Sequence, residues 1–238
     1  FSRKRKEIDW LLVSKGLGIQ ILFALLILKV PFVFTLFKFI AKGFTKIIYF
    51  TNQGSEFLFG GLMDKSDSFG YVFAFQVLPT VIFFSAVSSG LYYLGVLQKI
   101  VYGVAWVMSR TMRLSGAESL SAAGNIFLGQ TEAPLLVRPF VKNMTKSELM
   151  CLMTGGMATI AGGVLAGYVA FLGGDDPVER TKYASYLLSA SFMNAPAAIV
   201  LSKIFIPETR HDAIDANLSV SYDSKFVNLI DALATGAA

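Results

Sequence analysis

Between Asn125 and Pro134 the chain reads Asn-Ile-Phe-Leu-Gly-Gln-Thr-Glu-Ala-Pro, setting an amide, a hydroxyl and a carboxylate side by side at Gln130, Thr131 and Glu132. The surrounding sequence suits lipid. An ionisable group at membrane depth costs roughly 3 to 10 kcal/mol, so it faces a partner, an ion or a substrate. Gly129 and Pro134 bracket the trio, and each can interrupt a helix, glycine through backbone freedom and proline through its missing donor. A break there exposes amides and carbonyls that are tolerable only where they line a cavity or bind a ligand. The chemistry on offer is binding rather than bond making. Cys151 and His211 have no second cysteine or histidine for a zinc site, and no glycine-rich phosphate loop with its lysine is present. Glu132 and Thr131 as intramembrane acid and nucleophile lack a base, so no enzyme is expected, no catalytic residue and no organic cofactor.

Composition agrees with a membrane setting. The 238 residues are 54% hydrophobic and 16% charged, with mean hydropathy +0.59, whereas a soluble domain carries about a quarter charged residues. The net charge of +5 lies in short basic clusters between apolar segments, where it sets topology; nucleic acid is not an expected partner. Cys151 sits in an apolar stretch as a packing residue, and His211 reads as a solvated loop residue. The start at Phe1, without Met, and the uncapped small and apolar end from Asn228 read as two cut ends of a longer protein.

The elements that must position the polar run follow from apolar length and charge. Residues 11–28 are long enough to cross a bilayer, with Lys15 placed to snorkel. Over 31–50, Lys38, Lys42 and Lys46 recur every four residues against Phe37, Ile40, Phe44, Ile47 and Ile48, the pattern of a helix along the membrane surface. Residues 52–68 read as an exposed or short re-entrant loop, 71–97 as a span that Pro79 kinks, and 98–115 as a basic cytoplasmic connection. Small residues from Ala117 to Gly124 then climb to the polar break, and two limbs of about a dozen residues suit a re-entrant hairpin over 116–140 whose tip reaches mid-membrane. In 149–172, Gly155, Thr159, Gly163 and Gly167 form a small-residue row that permits close helix packing in lipid. An acidic loop from Gly173 to Arg180 precedes a last span, 183–206, and 207–238 reads as a cytoplasmic linker followed by the start of a truncated helix. The division expected is a scaffold region over 1–115 and a transport region over 116–206, in an all-α integral membrane protein with a re-entrant hairpin and a broken helix.

The segments 75–85, 91–96, 117–119, 125–139 and 160–168 resemble the concentrative nucleoside transporters nearly end to end, and the Gly-Gln-Thr-Glu-Ala-Pro run is specific to that family. The resemblance implies the first half of an inverted-repeat elevator transporter, a homotrimer in the cytoplasmic (inner) membrane that takes up nucleosides with a cation. It implies that Gly129, Gln130, Thr131 and Glu132 at the hairpin tip bind the nucleobase, with Val164 lining it. An amide and a hydroxyl both donate and accept and a carboxylate accepts, which suits the mixed polar edge of a base. It also implies a sodium site at Asn125, Leu128, Thr159 and Ile160, where Thr159 stands in place of a serine. Proton coupling through Glu132 is the alternative, and a non-transporting nucleoside receptor the second. The family's ribose-binding residues fall in a second repeat outside these residues, so the 238 residues alone are expected neither to transport nor to bind nucleoside tightly.

Overall fold

The structure, a computed structural model, describes residues 2, 4–63, 72–130, 133–174, 176–209 and 226–238. Among these every regular element is helical. Trp10–Lys29 (α1), Lys146–Gly173 and Pro177–Phe205 are long and apolar enough to cross a membrane. The second is interrupted at residues 159–161, giving Lys146–Ala158 and Gly162–Gly173 in place of one continuous helix.

Two compact units result, and they cut across the linear division expected at residue 115: one joins Phe1–Val30, Gly95–Ala161 and Ala190–Asp223, the other Pro31–Leu94, Gly162–Ser189 and Ser224–Ala238. In the second unit, Pro31–Phe59 (α2) runs well beyond the expected 31–50, and the helix absorbs the stretch read as the start of a loop at Asn52. The reason is its face. Phe37, Ala41, Ile48, Thr51 and Ser55 continue one buried stripe at helical spacing past the last lysine, while Lys38, Lys42 and Lys46 stay exposed as expected. Of the expected loop, 64–68 lies outside the described residues.

The span expected over 71–97 is not one helix with a proline kink. Phe73–Gln76 (α3) is a single turn, and Leu78–Tyr93 (α4) takes Pro79 into its first turn, where the missing N–H would have had no partner. The chain turns instead at Leu94 and Gly95, the latter at φ +72°, and Val96–Met112 (α5) follows where a connection was expected. Arg113 closes α5 at φ +53°, the one left-handed non-glycine among the described residues. The second unit is otherwise knitted by small residues. A Cβ on Gly236 of the last helix, Leu229–Ala237, would lie 2.9 Å from the Ser85 carbonyl oxygen of α4, and one on Gly167 would lie 3.0 Å from Val77 Cγ1. Close backbone approach of this kind is what glycine rows provide in lipid.

In the first unit, α5 packs with Gly116–Phe127 (α6) and buries a row of Leu97, Val101, Ala105, Met108 and Met112. The hairpin's second limb is short: Ala133–Leu136 (α7) makes one turn, then turns and a 3-10 segment over Val141–Asn143 follow, where a dozen helical residues were expected. Pro139 accounts for this. It disfavours helical backbone at Arg138 and supplies no N–H, and Val137 N–H already bonds the i−3 oxygen of Pro134 at 3.2 Å. Lys146–Ala158 (α8) and the second half of Pro177–Phe205 complete this unit. With Gly162–Gly173 as α9, the latter helix is α10.

Candidate functional site at the helix breaks

α6 and α8 begin alike. Ser115 caps α6 by accepting from Glu118 N–H at 3.1 Å while the Glu118 carboxylate accepts from Ser115 N–H; Thr145 and Glu148 repeat the arrangement at the start of α8. Two Ser/Thr-x-x-Glu capping boxes therefore fix where both helices start. They run parallel, because Asn125 near the end of α6 lies against Gly155 near the end of α8: a Cβ on Gly155 would fall 2.9 Å from Asn125 Nδ2.

Both helices stop at the same level. α6 ends at Phe127, with Leu128 extended (φ −96°, ψ 163°) and its N–H on the Gly124 oxygen at 2.8 Å. The break expected within 125–134 is present: residues 128–130 are non-helical, and Ala133 N–H closes the turn onto the Gly129 oxygen at 2.9 Å. α8 ends at Ala158, and Thr159 is likewise extended (φ −112°, ψ 161°). α10 pins this second break from behind. Asn194 Nδ2 donates to the Ala158 oxygen at 2.9 Å, and Ile160 N–H donates to Ser191 Oγ at 3.3 Å. Phe127 meets Phe192 edge to face, with centroids 5.5 Å apart, which brings the end of α6 to the same part of α10.

At this junction Asn125 is 1% exposed, and neither its oxygen nor its nitrogen has a hydrogen-bond partner among the described residues. An amide left so costs about 1–3 kcal/mol, a cost that an ion, a ligand or a water at this point would offset. Thr159 Oγ1 donates to the Gly155 oxygen at 2.9 Å and keeps its lone pairs for another group. Two helix C-termini end here, each carrying partial negative charge, beside carbonyls outside the helical ladder at Leu128, Thr159 and Ile160. Hard oxygen under a negative field suits a small cation. Among the described residues no cluster of three or more His, Cys, Asp and Glu side chains is able to hold a metal, and the oxygens gathered here belong to an amide, a hydroxyl and carbonyls.

The structure thus brings Asn125, Leu128, Thr159 and Ile160 into one unit. Gly129 is buried at the turn, and Gln130 is exposed, with its Cβ 3.0 Å from where a Cβ on Gly156 would lie. Thr131 and Glu132 lie outside the described residues, as does His211. Val164, in α9 of the other unit, is 42% exposed. Sequence reasoning missed Ser191 and Asn194 as the groups that hold the break, although a polar pair three residues apart inside an apolar span was the available signal. It also left unread Lys203 and its buried partner Glu118.

Because Gly155 and Gly156 give Asn125 and Gln130 their room, Gly155→Ala should destabilise the protein by about 1–3 kcal/mol in thermal or denaturant unfolding, by overpacking against the Asn125 amide. Asn125→Ala in the same chain should relieve most of that loss.

Residues 1–62 match the family profile described as "Na+ dependent nucleoside transporter N-terminus", and residues 74–175 match "Nucleoside recognition". The sodium/nucleoside cotransporter 1 of Mus musculus is 41% identical over 239 residues, covering 100% of this chain and 35% of that protein. An uncharacterized transporter of Haemophilus influenzae is 43% identical, covering 99% of this chain and 54% of that protein. The solved structure of CNTnw in an inward-facing substrate-bound state superposes with a TM-score of 0.85 at 40% identity, covering 99% of this chain and 54% of that one. The chain therefore spans only about a third to a half of the length of these relatives, which are named as transporters and not as enzymes. With two matching profiles in order, a shared all-helical fold and apolar membrane-spanning helices, the chain belongs to the concentrative nucleoside transporter family and covers the N-terminal part of its relatives.

Proposed function

We propose that this chain supplies the nucleobase and sodium sites of a cation-coupled nucleoside symporter of the cytoplasmic (inner) membrane, working as a homotrimer by an elevator movement. Asn125 and Thr159 contribute side-chain oxygens to sodium, and Leu128 and Ile160 contribute backbone carbonyls. Gly129, Gln130, Thr131 and Glu132 address the base, with Val164 lining it. The hairpin over 116–140, the broken span and the helix that pins it form the transport region, and the scaffold comes from residues before 95.

The observation that carries this reading is the buried amide of Asn125, without a hydrogen-bond partner among the described residues, at the meeting of two helix C-termini. A soluble-type core would satisfy that amide or replace it by leucine; a cation site keeps it ready. Sodium is favoured over the proton as coupling ion because these oxygens belong to an amide, a hydroxyl and carbonyls, none of which titrates in the physiological range.

The direct test is uptake of labelled uridine by vesicles holding the complete protein, with an imposed sodium gradient. Accumulation above the outside concentration, abolished when choline replaces sodium, is the expected result. Binding without accumulation would point to a receptor, and uptake that follows a proton gradient alone would move the coupling to Glu132. Within the base site, Glu132→Gln should raise the half-saturating nucleoside concentration by about tenfold, the loss expected for a hydrogen bond to a charged group, with surface expression unchanged. Normal uptake by that variant would remove Glu132 from the site.

A further inference from the structure

One buried charged cluster has no part in the binding just described. Lys203, near the C-terminal end of α10, is 6% exposed; its ammonium donates to Glu118 Oε1 and, at 3.0 Å, to Ser147 Oγ. Glu118 stands in the first turn of α6 and Ser147 in the first turn of α8, so one side chain ties the starts of two helices to the end of a third. Around it, Glu148 accepts from Thr145 N–H at 2.7 Å, and the Thr145 hydroxyl donates to Glu208.

The far ends of α6 and α8, held by the middle of α10, form the candidate cation site. Going from Glu118 to Asn125, from Ser147 to Ala158 and from Lys203 back to Asn194, each helix runs roughly 10 to 16 Å at 1.5 Å per residue. α10 is antiparallel to the other two and touches them at both levels. Between these levels many of the buried residues are small, Ser119, Ala122, Ala123 and Gly124 on α6 and Gly155 on α8 among them, alongside the fully buried Leu120 of α6 and Ile199 of α10. Apolar contacts of this kind are non-directional and specify an axial position less sharply than a charged pair does. A buried ion pair with a defined third partner resists sliding along the helix axis, and fixing register is the best-attested use of buried polar groups.

We infer that Lys203 is a positioning residue: with Glu118 and Ser147 it sets the axial register of α6, α8 and α10, and so holds Asn125 level with the break at Thr159 and Ile160. Its transport readout rests on the sodium reading above; its structural readout does not.

The test uses the full-length protein in proteoliposomes and the variant Glu118→Gln/Lys203→Met. Glutamine keeps an acceptor for Ser115 N–H and methionine keeps the stem volume, so the pair loses its charges but neither its cap nor its packing. The half-saturating sodium concentration should rise about tenfold, with the maximal rate at saturating sodium held within about twofold, while Lys203→Arg stays near wild type. In parallel, spin labels at the exposed Met157 of α8 and Leu201 of α10 should give a narrow distance distribution in the wild type and a broad or shifted one in the double variant. A merely structural pair would lower the melting temperature and leave both readouts alone; that result overturns the inference. If wild-type uptake ignores sodium, the transport reading fails and the label distances alone decide the register. If the double variant does not insert, Ser147→Ala, which removes one arm, should raise the sodium requirement about threefold and broaden the distances, and no change in either overturns the inference.

Discussion

Asn125→Leu should cut sodium-driven nucleoside uptake by about a hundredfold while leaving the protein as stable as before or more so. Removing even a partner of a metal ligand costs ten- to a hundredfold, and on the proposed reading a ligand itself would go. The stability side follows from the amide's isolation: its oxygen and nitrogen lack partners among the described residues, so an apolar side chain of similar volume removes a desolvation cost of about 1–3 kcal/mol. Opposite signs in the two measurements separate a functional amide from a structural one. Initial uptake rates across a sodium series, with melting temperature measured in detergent, would decide it. Uptake close to wild type, or a marked loss of stability, would count against a cation at Asn125.

Lys203→Met alone should destabilise the protein by about 3–5 kcal/mol, because it leaves the Glu118 carboxylate buried beside Glu148 without a counter-charge. Adding Glu118→Gln should recover most of this loss, since a neutral pair of similar volume carries no such penalty. The pairwise recovery, measured as a double-mutant cycle in denaturant unfolding, is the signature of a coupled buried pair. Equal and additive losses would mean that the two groups act through separate surroundings.

Much of this arrangement was legible in the residues themselves. The polar run with Gly129 and Pro134 located a break, because it depends on local chemistry that sequence displays directly, whereas the row of Gly155, Thr159, Gly163 and Gly167 does not lie on one helix: Thr159 is extended at the break between α8 and α9. Lys38, Lys42 and Lys46 likewise marked an exposed face that the fold keeps. The helix limits were harder. Pro79 looked like a kink in mid-span, but a proline in a first turn and one in an interior have the same sequence; only the start of α4 at Leu78 tells them apart. Residues 98–115 looked like a connection because Lys99, Arg110 and Arg113 are charged, yet their charges sit on the exposed side of a helix whose other side is buried. Lys203 was passed over for the opposite reason. At the end of an apolar span a lysine reads as a snorkelling residue, and only long-range packing reveals that it turns inward to Glu118, 85 positions away.

The left-handed residues that bound α5 carry a consequence for motion. Gly95 at φ +72° begins the helix and Arg113 at φ +53° ends it, with only Leu114 and Ser115 between Arg113 and α6. A link of that length reaches at most about 10 Å, so the hairpin limb has almost no slack with respect to the end of α5. In an elevator reading, α5 must then travel with its cargo or swing as a crank. Gly95 is the natural elbow for that swing, while Arg113, in a conformation that side chains rarely adopt, is the stiff wrist.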